Sequence, residues 1–190
     1  MPRVIVIAGQ CSGVGKTALG VDVIQAFPER DWLALKITRH HDDRIGVAGY
    51  AFHAEADREG KSDTSRFLAA GAKRSFLIEI HTSHFREAIC EIRMLIAGAE
   101  TVLVEGNSVL GHLHPALAVL VLDPRRNDFK LSAREAMREI DAVVVRSPMP
   151  GANWAGIDLA EVGSKPRFLQ PFGRPIRADL RKRIQGALTA

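Results

Sequence analysis

With 190 residues, 46% hydrophobic and 25% charged, the chain has the size and composition of one globular domain that buries a core of its own. It has no run of 18 or more apolar residues, and "VIVIAG" directly after "MPR" lacks the longer apolar region and small-residue cleavage site of a signal peptide, so a soluble, cytoplasmic protein without a membrane partner is expected. Two cysteines, Cys11 and Cys90, are too few for a disulfide framework or paired metal knuckles, and the net charge of +4, with dispersed basic residues, suits anionic small ligands rather than a nucleic acid.

Short apolar runs alternate with helical patterns. "RVIVIA" reads as a buried strand, and Leu19, Val23, Ala26 and Phe27 give the helix that follows it an apolar face. "WLALKIT" is a second strand, and the polar stretch from Arg39 to Gly60 reads as a long loop. "SDTSRFLAAG" is a short helix with Ser62 or Asp63 near its N-cap and Gly71 closing it. "SFLIEI" is a strand, followed by a helix with Phe85, Ala88, Ile89, Ile92, Leu95 and Ile96 as its stripe. "TVLVEG" and "AVLVL" are further strands, and Ser132 with Glu135 three residues on is a capping-box pattern opening a helix. "AVVV" and "RFLQ" complete the strands, with "SPMPGANWAG" between them as a surface loop. A last helix places Ile176, Leu180, Ile184 and Leu188 on one face and "RKR" on a solvated one. Nearly all-apolar strands alternating with helices predict an α/β three-layer sandwich in one domain: a mostly parallel, doubly wound sheet of about seven strands flanked by helices.

"AGQCSGVGKTAL" follows the first strand, where a doubly wound sheet binds its ligand. Gly13 and Gly15 let the backbone approach phosphate oxygens, Lys16 is placed to neutralise the β- and γ-phosphates, and the Thr17 hydroxyl to bind Mg²⁺. The whole stretch Gln10, Cys11, Ser12, Gly13, Val14, Gly15, Lys16, Thr17 and Ala18 is therefore the expected nucleotide cradle. The usual pattern would put glycine where Gln10 stands; here it is one place earlier, at Gly9. The shifted form "GQCSGVGKT" resembles the loops of the dethiobiotin synthetase and cobyrinic acid amidase group and of the wider SIMIBI class of P-loop NTPases. Members of its Min/Par branch carry an extra lysine where Cys11 stands, and its absence argues against that dimerising branch.

Two further constellations lie at strand ends. Lys36, Thr38, His40, His41 and Asp42 leave the second strand at the sheet's carboxyl edge, facing the phosphates. With neither cysteine pairs nor a helical His-x-x-x-His, zinc is not the expected ligand there. Glu105 ends an apolar strand and precedes Gly106, the placement of a Walker B acid that holds Mg²⁺ directly or through water, with Gly106 allowing close approach to the γ-phosphate. Asp42 is the other candidate for the metal, and either carboxylate serves equally to orient the attacking water.

"LKITRHHD", "EGKSDTSRFLAAGAKRS" and "TVLVEGNS" together with the phosphate loop resemble, in order and spacing, the molybdopterin-guanine dinucleotide biosynthesis adaptor protein B family over roughly residues 3 to 108. The resemblance implies a slow, Mg²⁺-dependent GTPase that assists molybdenum cofactor maturation, binds a molybdenum cofactor nucleotidyl transferase and forms a homodimer. Two features depart from it. Arg146 and Ser147 stand where a GTP site usually has Asn-Lys-x-Asp, and "GNSVLGHLHPAL" is not the family's continuation, with His112 and His114 read either as part of a polar loop or as contacts to a second substrate. An ATP-dependent ligase or kinase of the dethiobiotin synthetase type, activating a carboxylate as an acyl phosphate, and an adaptor that holds nucleotide without hydrolysing it are the alternatives. Lys16, Asp42 and Glu105 carry the chemistry in the leading reading, with Lys36, Thr38, His41, Gly106 and Arg146 beside the nucleotide.

Overall fold

A computed structural model describes residues 1–40, 48–148 and 162–189. Strand β1 (Arg3–Gly9) leads into helix α1 (Lys16–Ala26), then β2 (Trp32–His40), β3 (Tyr50–Ala54), α2 (Asp63–Ala69) and β4 (Arg74–His81). A 3₁₀ turn (Thr82–His84) opens into α3 (Phe85–Ala97), followed by β5 (Thr101–Glu105), β6 (Leu117–Leu122), α4 (Leu131–Ala136), β7 (Ala142–Val145), β8 (Arg167–Leu169) and α5 (Ala178–Thr189). The strands form one sheet in the order β3-β4-β2-β5-β1-β6-β7-β8, parallel throughout except for the antiparallel β3–β4 edge.

Period-two alternation divides the core between the two faces of this sheet. Along β1, Ile5 and Ile7 face α1 and α5 with Leu19, Leu103, Leu180 and Ile184, while Val4 and Val6 face α3 and α4 with Ile89, Ile92 and Val104. Burying each such side chain contributes about 1.5–3 kcal/mol, which is why the central strands are apolar on both sides. Trp32 fills the turn between α1 and β2 and donates its indole N–H to the carbonyl of Phe27 at 3.0 Å.

Three local expectations are corrected. The stretch from Arg39 to Gly60 is not all loop: β2 runs on to His40, and Tyr50–Ala54 forms the antiparallel edge strand, raising the strand number from about seven to eight. Only Tyr50 and Phe52 of β3 pack against the core, too few to mark an apolar strand in sequence. Ser132 does not cap α4. Lys130 occupies the N-cap position, no side chain caps the helix, and the Ser132 hydroxyl instead accepts from Asn107 Nδ2 at 3.2 Å. The cap of α2 is as read, with Ser62 accepting from the Ser65 amide and Gly71 beyond its end at φ +115°. Of "SPMPGANWAG", all but Ser147 and Pro148 lies outside the described residues. Among the described residues no helix is long and apolar enough to cross a membrane.

Candidate functional site

The loop after β1 is held open by glycines whose space is already taken. A Cβ on Gly9 would lie 2.7 Å from both Lys16 Cγ and Val14 Cγ1. Gly13 and Gly15 adopt φ of 71° and 98°, the left-handed region in which a side chain is strained. Gly15 is also the N-cap of α1, with no capping side chain, so the first-turn amides face outward with the positive end of the helix dipole behind them. Cys11 and Val14 bury their side chains in the core, Ser12 is exposed, and Ala18 lines the cleft above the loop.

Gln10 is fully buried, and its amide is spent within the protein. Its Oε1 accepts from the Asp123 amide at 3.0 Å, while Nε2 donates to the carbonyls of Arg126 at 3.1 Å and Asp128 at 3.0 Å. Gln10 thus pins the β6–α4 connection to the phosphate loop. Asn107 does the same from β5, accepting from the Gly9 amide at 2.8 Å and donating to the Gly9 carbonyl at 3.0 Å.

Beyond the loop opens a cleft of about 500 Å³ whose floor is a chain of charges. Register aligns Lys36 of β2 and Ile7 of β1 with Glu105 of β5. Glu105, 4% exposed, accepts from Thr17 Oγ1 at 2.7 Å through Oε2 and from Lys36 Nζ at 3.3 Å through Oε1. Lys36 also donates to Asp63 in the first turn of α2. Burial alone would lower Lys36, but Glu105 and Asp63 overcome it and hold its ammonium above the ordinary lysine value. Burial would likewise raise Asp63, and the Lys36 pair instead holds it below the ordinary carboxylate range. Lys16 bends back over the loop to donate to the Cys11 carbonyl at 3.0 Å; burial pushes its ammonium down, with Glu105 partly restoring it.

Glu55 fixes α2 and hence Asp63. It accepts from Thr64 and Ser62 hydroxyls, both at 2.7 Å, and from the amides of Asp57 and Ala56 at 3.0 and 3.1 Å; these bonds lower its carboxyl to about 2.

The remaining expected residues are placed less uniformly. Thr38 is half-buried on the same face of β2 as Lys36, in register with Glu79 of β4. His40 Nε2 lies 3.2 Å from Glu79 Oε1, and His53 of the edge strand lies at the same distance from Glu79 Oε2, so these histidines serve the sheet edge. His41 and Asp42 lie outside the described residues. Gly106 permits close approach of β2: a Cβ there would lie 3.2 Å from the Ile37 carbonyl oxygen. Arg146, 2% exposed, reaches under the loop from the end of β7, donating to the carbonyls of Gly15 and, at 3.1 Å, of Gln170. Phe172 covers its guanidinium, 4.5 Å from the ring centroid. Burial lowers Arg146 and raises the nearby Asp22, each tempered by the other's charge.

A second cleft of about 470 Å³ opens at the same carboxyl edge but on the α3–α4 face, with Arg39, Asn107, Ser108, His112, Ser132 and Arg138 among its walls. His112 also packs on Phe85, ring centroids 5.1 Å apart, and with His114 it lines a second depression beside Met1 and Arg93.

Order and register, together with the glycine loop at the carboxyl end of the central strand, decide the architecture. This is the P-loop NTPase fold. The same architecture is seen in HypB from Helicobacter pylori in complex with nickel, with a TM-score of 0.53 at 14% identity over 98% of this chain and 87% of that one. LpxK from Aquifex aeolicus in complex with ATP aligns at 17% identity and a TM-score of 0.49, over 88% of this chain. This chain spans about half the length of LpxK, 53%. The septum site-determining protein MinD of Pyrococcus horikoshii, complexed with Mg-ADP, aligns at 17% identity and a TM-score of 0.43 over 90% of this chain and 82% of that one. No family model and no curated protein matches the sequence.

Asp63, Asn107, Lys130 and Phe172 join or border this P-loop site without having been marked by sequence. Asp63 carries a helix-capping signal that accounts for it fully, and the other three reach the loop only through long-range folding.

Proposed function

We propose that the chain binds a nucleoside triphosphate with Mg²⁺ in the 500 Å³ cleft and hydrolyses it slowly. The observation that carries this reading is the Thr17–Glu105–Lys36–Asp63 chain of charges laid directly beneath a glycine loop with outward amides. The hydroxyl of Thr17 and the carboxylate of Glu105 are hard oxygen donors 2.7 Å apart, a donor set that suits Mg²⁺. Bound there, the ion would neutralise charge on the β- and γ-phosphates. Gly13, Gly15 and the first-turn amides of α1 hold the phosphates, Lys16 swings from the Cys11 carbonyl onto them, and Lys36, bonded to Glu105 Oε1, keeps its other oxygen aimed at Thr17. Positioning and electrostatics then do most of the catalysis.

The resemblance to the molybdopterin-guanine dinucleotide adaptor family supports GTP as the nucleotide and molybdenum cofactor maturation as the setting, with a nucleotidyl transferase as partner and a homodimer as the assembly. The second reading, an ATP-dependent ligase or kinase acting on a small acid, is favoured by the second cleft, where Arg39 and Arg138 offer guanidinium groups to a carboxylate. Phosphate release from Mg·GTP and Mg·ATP, alone and with a nucleotidyl transferase, tests the proposal. GTP turnover that rises with the transferase and disappears in Glu105→Ala is expected; release from neither nucleotide overturns it.

A further inference from the structure

The connection from β6 to α4 is tied to the phosphate loop more tightly than a surface loop requires. Besides the three bonds of the Gln10 amide, the Lys130 amide donates to the Gln10 carbonyl at 2.9 Å. This anchoring sets two cations against the loop. Arg126, fastened by Nε and Nη2 to the Asp128 carboxylate at 3.1 and 3.2 Å, lies over Gly13, where an added Cβ would come within 3.4 Å of its Nη1. Lys130, exposed at the N-cap of α4, donates from Nζ to the Ser12 hydroxyl at 2.9 Å.

The Lys130 contact is chemically unusual for its surroundings. Lys36 pairs with two carboxylates, and Arg125 and Arg126 each pair with one. Lys130 faces the neutral hydroxyl of a phosphate-loop residue, and among the described residues no carboxylate lies within ion-pair distance of it. It is also near enough to Lys16 for their like charges to contribute to lowering the Lys16 ammonium. Three ammonium groups, on Lys16, Lys36 and Lys130, therefore flank one glycine loop, and Glu105 with Asp63 answers only those on the sheet side. The charge that completes the balance is that of a polyphosphate.

Resting on the nucleotide reading above, we propose that Lys130 is a catalytic residue supplied in cis, reaching past Ser12 to the phosphates and stabilising negative charge as the γ-phosphoryl group is transferred. In that step a water oxygen bonds to the γ-phosphorus and the bond to the β,γ-bridging oxygen breaks. The nucleoside diphosphate leaves with the electron pair, and the water proton passes to the released phosphate or to solvent. A cation from the same chain does here what a partner's arginine does in other phosphoryl-transfer enzymes, so turnover per chain is independent of protein concentration.

Calorimetric titration of wild type, Lys130→Ala and Lys130→Arg with Mg·GDP and Mg·ADP, with and without aluminium fluoride as a mimic of the transferring phosphoryl group, tests this. In wild type the fluoride should tighten the diphosphate complex. Lys130→Ala should lose roughly 10²-fold of that tightening and a similar factor in single-turnover phosphate release, the scale expected when one preorganised charge donor is removed. Lys130→Arg should keep most of both, and diphosphate affinity alone should stay within about threefold in all three proteins, since a group acting on developing charge contributes little to ground-state binding. A Lys130→Ala protein that keeps both tightening and turnover overturns the proposal, as does turnover per chain that climbs with protein concentration. Wild type that binds the diphosphates without any response to fluoride also overturns it and leaves the nucleotide reading standing. Wild type that binds neither diphosphate removes the nucleotide reading and this proposal with it.

Discussion

Two buried charges flank the phosphate loop, Glu105 on the sheet side and Arg146 on the β7–β8 side, and the protein treats them oppositely. Glu105 is 4% exposed and is met by a full set of charged and hydroxyl partners drawn from α1, β2 and, through Lys36, α2. Arg146 is 2% exposed and spends its donors on neutral backbone carbonyls, with an aromatic ring over its face and Asp22 near enough to act on it by charge but not bonded to it. The difference teaches what each end is for. A carboxylate bonded to a hydroxyl and an ammonium presents the oxygen donors that the proposed Mg²⁺ would need, whereas a guanidinium bound to the carbonyls of Gly15 and Gln170 fixes the backbone from which the loop and the β8 segment spring. The phosphate end is built as a charge device and the other end as a brace.

Substitutions that break this contrast are expected to rank as follows. Lys36→Met strands Glu105 with Thr17 alone and should cost about 3 kcal/mol in urea unfolding, the low end for orphaning a buried charge because Lys36 is partly exposed. Gln10→Gly, which restores the commoner loop residue, should destabilise by roughly 2 kcal/mol, because the buried Asp123 amide and two carbonyls lose their partner. The same unfolding assay reads it, and a more stable Gln10→Gly protein would remove the tether from the account. Arg146→Met should cost about 1–2 kcal/mol, since two neutral acceptors are left behind and the nearby Asp22 loses only a favourable charge rather than a hydrogen-bonded partner. Phe172→Ala is expected to change stability least, by under about 1 kcal/mol, because the residue is 43% exposed and its main partner is one guanidinium.

Acid should weaken the sheet side. The carboxyls of Glu55, at about 2, and Asp63 lie below their unfolded values, so the stability they contribute is present above about pH 4 and is lost as pH falls through their folded values. Lys36 is raised, so its contribution is fully present below about pH 10.4 and is lost only as pH rises through its folded value. Glu55→Gln should flatten the acid limb of stability against pH, measured by thermal unfolding between pH 2 and about 5. An unchanged acid limb would show that the Ser62–Thr64 cluster does not hold α2.

The catalytic-looking core of the molecule was readable from local pattern. Apolar runs of five or six residues gave β1, β2, β5 and β6, and "GVGKT" gave the loop, because these signals are set by period and by glycine alone. What stayed hidden depends on register or on distant chain. The Lys36–Glu105 pair spans 69 residues and exists because β2 lies beside β5 in the sheet. Gln10 reads as a deviation in sequence, and only the connection more than a hundred residues later gives it partners. Edge strand β3 escaped notice because it is short and packs only two aromatic side chains against the core. Ser132 matched a capping pattern, but Asn107 holds its hydroxyl instead.

The most direct test of the central claim is calorimetric titration of wild type and Lys16→Ala with Mg·GTP and Mg·ATP. Saturable binding of a triphosphate to wild type, weakened by about 10²-fold in Lys16→Ala, is the result expected of a charge-assisted phosphate contact worth up to about 3 kcal/mol. No binding by wild type, or equal binding by both proteins, would contradict it.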